Sequence, residues 1–398
     1  VMPISFFISS VGMAIGIGGS SIISRALGSK NGKKAQQTYG NMIRVTVALS
    51  IVFVILSFIF SDNILHAFGG KGDILPLARD YFRIIIIGIP FLTWGMMANN
   101  IIRAEGKPKY AMLVLMIPAI ANIFLDALFI VYLGWGLKGA AWATTISYAL
   151  SAAYALGYFI SGKSEMKLES IKYKISIPIL KEIISLGFVT LARQSSISLL
   201  ILVLNHTLFQ YGGESAISVY GIISRLMMFT LFPVMGLVQG FVPIAGYNYG
   251  AELWDRVKYV VNSSIKYGVI LSFIIFLSIL VGAQFYVKVF TDDLQLLAQA
   301  PAALRIAFLA TPFIAVQLIG TAYFQAIGKA VPALILSLTK QGFCLIPLVL
   351  ILPIFFGIEG VWYSFPLADI ASTLITWFVL RKELSKQSEP ALIRLQDA

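Results

Sequence analysis

The distribution of charge constrains this chain more than any other feature. Uncharged stretches of about 20 residues recur along its length, and Lys, Arg, Asp and Glu bunch in short segments between them. A helix of that length crosses the roughly 30 Å hydrocarbon core of a bilayer, so the pattern predicts an all-α polytopic membrane protein. A transmembrane β-barrel would instead show alternation over segments of about ten residues. The runs VALSIVFVILSFIF (47–60) and GVILSFIIFLSILVGA (268–283) show no alternation. Of the 398 residues, 58% are hydrophobic and 12% charged. Soluble domains carry about 25% charged residues, so a soluble enzyme is excluded.

Eleven spans are expected, at 1–24, 39–61, 77–102, 111–133, 139–160, 179–204, 214–244, 261–283, 298–326, 332–355 and 360–380. Residues 1–24 lack the basic leader of a signal peptide and continue through Gly12, Gly16, Gly18 and Gly19 into Arg25, so they read as a true span. One set of alternate connections holds 19 Lys or Arg, while the other holds four, Lys71, Arg79, Lys138 and Lys288. The positive-inside rule places the first set, with the C-terminus, on the cytoplasmic side of the inner (plasma) membrane. This bias accounts for the net charge of +12. Membrane lipid is a sufficient partner for it, and nucleic acid is not required.

The chain also repeats itself. At a displacement of 222 residues Gly18 falls on Gly240, Gly28 on Gly250, Phe68 on Phe290, Ala78 on Ala300, Arg83 on Arg305 and Ile84 on Ile306. Pro90 then falls on Pro312, Ala104 on Ala326, Gly106 on Gly328 and Lys107 on Lys329. A duplicated six-helix unit is expected, with an N-lobe at 1–160, a linker at 161–178, a C-lobe at 179–382 and a tail at 383–398. The partner of the span 179–204 would precede Val1, so eleven of twelve helices are expected in the chain. An even-numbered repeat implies lobes related by an axis along the membrane normal, able to rock about a central cleft.

Glycines Gly16, Gly18 and Gly19 lead into SSIISRALGSKNGKKAQ (20–36), followed by NNIIRAEGKPKYA (99–111) and NIFLDALFIVYLGWGLKGAAWAT (122–144). Together these segments resemble transporters of the multidrug and toxic compound extrusion (MATE) family, and the resemblance runs through Arg381. It implies two six-helix lobes, cytoplasmic termini, and export of small amphipathic, cationic compounds driven by protons or sodium. Lipid-linked oligosaccharide flippases share the wider superfamily, so a flippase is the alternative.

Intramembrane acids are expensive and are functional candidates by default. Asp126 lies inside the span 111–133, and Asn122 precedes it by one turn on the same helix face. The carboxyl is suited to carry a proton, while carboxamide and hydroxyl oxygens beside it would favour Na+. The structural alternative is a buttress to a Trp, Tyr or Asn on a neighbouring helix. The resemblance adds Thr144 and either Asn99 or Asn100 to an N-lobe cation site, to which the first family helix contributes another aspartate. Some sodium-coupled relatives place acids in the second lobe, but there is no Asp or Glu between Ile183 and Phe209 or between Leu294 and Leu350, and Ile314 stands where such a relative carries aspartate.

Asp369 is read as polar lining of the cleft, and Glu359 as a residue of a membrane edge. Arg193, Arg225 and Lys340 either snorkel or line the cleft. Arg193 lies mid-span beside Gln194, Ser195, Ser196 and Ser198; an arginine in the cleft would suit anionic or zwitterionic cargo and keeps the flippase reading open. Met227 and Gln239 are further candidate cleft residues, and Pro90 and Pro312 are candidate hinges. The two histidines, His66 and His206, and the single cysteine, Cys344, fit no zinc spacing. No G-x-x-x-x-G-K-S/T element is present, and no polar cluster near an interface supports a lipid-modifying enzyme. The expected protein is a monomeric secondary antiporter working by alternating access, with no cofactor beyond the coupling H+ or Na+.

Overall fold

The computed structural model describes residues 2–67, 72 and 74–386, with side chains described from Ile8 onward. Phe68, Lys71, Arg394 and the tail from residue 387 lie outside the described residues. The described residues contain helices and turns and no strand. In chain order the helices are α1 Met2–Gly28, α2 Gly32–Ile59, α3 Ser61–Ala67, α4 Ile74–Ala104, α5 Pro108–Asp126 and α6 Gly136–Ile160. They continue as α7 Ile177–Gly250, α8 Trp254–Phe290, α9 Leu294–Ala307, α10 Ile314–Ala326, α11 Ala330–Leu338, α12 Ile346–Phe356 and α13 Ile358–Lys386. A π-helical turn, Ala127–Tyr132, prolongs α5, and another, Thr339–Leu345, joins α11 to α12.

Among the described residues, nine helical stretches are long and apolar enough to cross a membrane. One of them is the 74-residue α7, whose helical backbone breaks at Gly213 (φ 64°, ψ −158°) into two rods. Helix α6, rich in Gly, Ala, Ser and Thr, is 25 residues long, enough to span, but is not among the nine. Large apolar side chains such as Ile123, Phe124, Val131, Val281 and Phe378 stay exposed, as expected of surface that meets lipid rather than water.

The chain divides into two compact units, Val1–Leu191 and Ala192–Ala398. The first unit takes in residues 161–178 and the opening turns of α7. There Gly18 and Gly187 let α1 and α7 touch backbone to backbone: a Cβ on Gly18 would fall 2.3 Å from the Ile183 carbonyl oxygen, and one on Gly187 2.7 Å from that of Ala14. Arg25 closes the same seam with a 2.6 Å ion pair to Glu182. The core of the second unit is apolar, built around Leu204, Leu208, Ile223, Ala283, Val287, Leu304, Val349 and Ala368.

The 222-residue displacement recurs in the backbone. The starts of α2, α5 and α6 at Gly32, Pro108 and Gly136 map onto the starts of α8, α11 and α13 at Trp254, Ala330 and Ile358. The ends of α1 and α4 at Gly28 and Ala104 map onto those of α7 and α10 at Gly250 and Ala326. Even the two non-glycine residues with positive φ among the described residues correspond, Lys30 (57°) and Glu252 (58°), as do the turn glycines Gly106 (74°) and Gly328 (85°).

The structure departs from the expected spans in three places. Residues 205–213, expected as a connection, are helical up to Gly213, where the positive φ makes the break. The expected span 298–326 is interrupted: α9 ends at Ala307, a 3-10 turn covers Thr311–Phe313, and α10 begins at Ile314. Pro312 therefore sits in that break, whereas Pro90 lies inside the continuous helix α4. A proline ring removes one backbone hydrogen bond and crowds the preceding turn. Around Pro90 the Thr93 hydroxyl donates to the carbonyls of Ile89 (3.0 Å) and Pro90 (3.1 Å) and pairs with Ser50 Oγ at 2.6 Å. Finally, the connection expected at 62–76 contains the short helix α3, whose Asp62 binds Arg79 through two hydrogen bonds of 2.8 and 2.9 Å.

Candidate ion-coupling site

Asn122 and Asp126 lie one turn apart at the end of α5, where the α-helix loosens into the π turn Ala127–Tyr132. A π turn shifts the hydrogen-bond register, and such turns are frequent at functional sites. The site is held from behind by α6, which approaches the turn so closely that a Cβ on Gly139 would lie 3.0 Å from the Phe129 carbonyl group. Phe129 also stacks on Trp135 with ring centroids 5.0 Å apart.

The site's main property is polar capacity left unused. Asp126 Oδ1 and Asn122 Nδ2 are both shut off from solvent, and neither has a hydrogen-bond partner among the described residues. An unpaired polar group without water costs several kcal/mol in such a setting, on the order of 1–3 for a neutral group and more for a charge. Thr144 enters from α6, its hydroxyl donating to the Ala140 carbonyl at 3.0 Å and leaving its lone pairs available. Sequence reasoning missed Tyr81 of α4, whose hydroxyl stands beside the Thr144 side chain and within electrostatic reach of Asp126. With it, three helices converge on Asp126.

A carboxylate, a carboxamide, a hydroxyl and a phenol together offer oxygen ligands of the kind a hard cation such as Na+ accepts, or a protonatable site with neutral neighbours. Rotating the Asn122 carboxamide by half a turn presents its oxygen in place of its nitrogen. The residues therefore fit a bound monovalent cation or a proton. No cluster of three or more His, Cys, Asp or Glu able to hold a metal ion occurs among the described residues.

The two asparagines of α4 are otherwise engaged. Asn99 donates to the Ala111 carbonyl at 2.5 Å and accepts from Arg103 at 2.6 Å, so both its polar atoms clamp the α4–α5 turn. Asn100 donates to the Met96 carbonyl at 2.9 Å and packs on Gly16, where an added Cβ would fall 2.6 Å from its amide nitrogen.

In the second unit the candidates do not gather into one site. Asp369 is buried in α13 and forms a 2.5 Å ion pair with Lys340, which projects from the π turn Thr339–Leu345. Lys340 thus neither snorkels nor stands unpaired. Arg193 is half-buried, Gln194 is exposed and its carbonyl accepts from Ser198 at 3.2 Å. Met227 packs on the apolar core, Gln239 is half-buried on the second rod of α7, and Arg225 is exposed.

Known proteins resemble the chain throughout. Solved structures described as a MATE P26A mutant and as an outward-facing MATE multidrug resistance transporter superpose with TM-scores of 0.93 and 0.92. Each covers 98% of this chain and has 87% of its own length matched, at 23% identity, so the fold is shared. The multidrug export protein MepA of Staphylococcus aureus (strain MSSA476) is 27% identical over 388 residues, covering 96% of this chain and 85% of MepA. The MepA of Staphylococcus haemolyticus (strain JCSC1435) is 28% identical over 384 residues, covering 95% and 83%. The family model MatE matches residues 1–128 and 188–351, well over half of the chain. A helical multi-pass membrane protein with this match is a transporter rather than an enzyme, and the chain belongs to the MatE family.

Proposed function

We propose that the protein is a cation-coupled multidrug exporter in which Asp126 carries the coupling ion. The observation that bears most weight is the pair of buried, unpartnered polar atoms on Asn122 and Asp126, set beside Thr144 and Tyr81. An intramembrane carboxylate without a fixed counter-charge has a strong demand for a proton or Na+, and loading from one side with unloading to the other is what antiport requires. The likeness to MepA, named as a multidrug export protein, supports small-molecule substrates, which we take to be amphipathic and cationic compounds. The π turn that begins at Ala127 offers the helix a register change when the ion binds or leaves, a natural element for alternating access.

The lobes are drawn at 1–160 and 179–382 about the linker 161–178, with the tail 383–398 on the cytoplasmic side of the plasma membrane, as the Lys and Arg bias supports. The protein acts as a monomer, each chain holding its own ion site, with lipid around it. Proteoliposomes carrying a cationic dye and an independently imposed proton or sodium gradient test the proposal. Dye movement driven by one gradient in the wild type and lost in Asp126→Asn is expected. Gradient-driven transport that persists in the variant overturns it.

A further inference from the structure

A groove of about 580 Å³ opens at the Lys- and Arg-rich end of the second unit, between the start of α8 and the end of α13. Lys258 and Asn262 line it from α8, and Arg381, Lys382 and Ser385 from α13, with Phe378 supplying an apolar wall. Among the described residues the lining thus holds three cations, two neutral hydrogen-bonding groups and no carboxylate. The acid nearest in sequence, Glu383, is tied to Lys329 by a 2.7 Å ion pair, and Asp255 lies one turn before Lys258 without contributing to the groove.

The height of the groove is fixed by aromatic residues. Trp377 lies one turn before Arg381, whose guanidinium stacks on the indole at 4.1 Å. Trp254 opens α8 one turn before Lys258 and meets Tyr249 edge to face at 5.3 Å. Tryptophan and tyrosine settle at the level of lipid headgroups, so the three cations stand at that level. Stacking occupies the face of the Arg381 guanidinium and leaves its N–H donors in plane, the geometry that grips a phosphate.

We propose that this groove binds a phosphate-bearing anion presented by the membrane, the headgroup of an anionic phospholipid, with Phe378 against its glycerol and upper acyl region. Basic residues near the end of a helix follow from the positive-inside rule alone. That rule does not place cations from two helices around one cavity or add Asn262 and Ser385 beside them. A soluble phosphate shares the charged chemistry, but the apolar wall and the interfacial level favour lipid.

The test titrates fluorescent phosphatidylglycerol into the full chain in neutral detergent, with phosphatidylcholine and inorganic phosphate as separate arms. Phosphatidylglycerol is expected to bind the wild type, and the variant carrying Lys258→Gln, Arg381→Gln and Lys382→Gln should bind on the order of a hundredfold more weakly, each charge contributing about fivefold. The control carrying Lys30→Gln, Lys33→Gln and Lys34→Gln removes the same charge at another connection and should bind like the wild type. If the triple variant does not elute as a single species, the about fivefold loss is read from Lys382→Gln alone. Equal binding of phosphatidylcholine, undiminished binding by the groove variants, or an equal loss in the control overturns the site. Displacement of the lipid by inorganic phosphate at matching concentration overturns the lipid assignment in favour of a free anion.

Discussion

Asp126 and Asp369 are both carboxylates inside membrane-spanning helices, and the two units treat them in opposite ways. Asp369 has its counter-charge built in: Lys340 holds it at 2.5 Å, and its side chain is only 4% exposed. Asp126 has a buried oxygen with no hydrogen-bond partner among the described residues, and it lies beside the neutral Asn122, Thr144 and Tyr81. A tethered cation compensates an acid permanently, whereas neutral neighbours leave compensation to something that can arrive and depart. Membership of one duplicated frame sharpens the contrast, because the helices carrying the acids, α5 and α13, belong to repeats whose helix starts match residue for residue. On the proposed function, the exchangeable charge belongs to the first unit, while the second holds a fixed pair.

The largest effect that could break this comparison is on transport. Asp126→Asn should lower gradient-driven export at least a hundredfold in proteoliposomes while the protein still inserts and elutes as a folded species. Asp369→Asn paired with Lys340→Met, which removes the ion pair as a unit, should retain export within several-fold. If the two results were reversed, the exchangeable charge would belong to the second unit.

Stability should respond in the opposite order. Lys340→Met alone strands a buried carboxylate and should cost about 3–5 kcal/mol, read as a lowered melting temperature in detergent. Adding Asp369→Leu removes the stranded charge and should recover most of that loss, because replacing both members of a buried pair is often neutral. Asp126→Asn should leave the melting temperature unchanged or raise it, since it discharges an acid that no cation holds. A coupling energy near zero between positions 340 and 369 would sink the account of a tethered counter-charge.

A smaller effect concerns the phenol that sequence reasoning overlooked. Tyr81→Phe keeps the ring and removes the hydroxyl beside Thr144 and Asp126, a polar contact worth about 1 kcal/mol, so the affinity for the coupling ion should change about fivefold. Asn99→Ala should instead act through stability, because its amide clamps Ala111 and Arg103. An ion-affinity change in Asn99→Ala larger than that in Tyr81→Phe would move the site toward the α4–α5 turn.

The frame of the fold is legible in the sequence because Gly, Pro and charge punctuate it: Gly28, Gly106 and Lys107 with their counterparts mark helix ends that the structure places at the same displacement. The interruptions are less legible. A π turn changes the hydrogen-bond register without changing composition, so ALFIVY (127–132) reads as ordinary helix. Pro90 and Pro312 look alike in sequence, yet Thr93, itself paired with Ser50, bonds the carbonyls around the first while the second falls in a 3-10 break. Asp126 is visible as a lone acid in an apolar span. Its neighbour Tyr81 is one of 17 tyrosines, and only the packing of α4 on α6 distinguishes it. Lys340 and Asp369 stand out singly as charges within spans; their pairing depends on how α13 and the π turn are rotated, which hydrophobic periodicity does not specify.

A third acid offers the finest test of how neutral partners hold a carboxylate. Glu105, in the turn beyond α4, accepts from Ser164 (2.6 Å) and the Met166 amide (2.9 Å) through Oε1 and from the Tyr158 hydroxyl (2.9 Å) through Oε2, so it anchors the segment after α6. Burial raises its pKa, and the hydrogen bonds from Ser164, Met166 and Tyr158 oppose that rise without cancelling it. A carboxyl raised in the docked state binds its proton more tightly there than when the segment is free. Docking stability is then fully present below the ordinary carboxyl value of about 4.3 and is lost as pH rises through the raised value. Hydrogen exchange at the Met166 amide, corrected for intrinsic pH dependence, should show protection that declines across that window. In Glu105→Gln the Met166 amide keeps a carbonyl acceptor and the pH dependence should vanish. Protection that instead grows with pH would mean that hydrogen bonds to the ionised form outweigh burial, and neutral donors alone would then suffice to hold a charged acid where Asp369 has recruited a lysine.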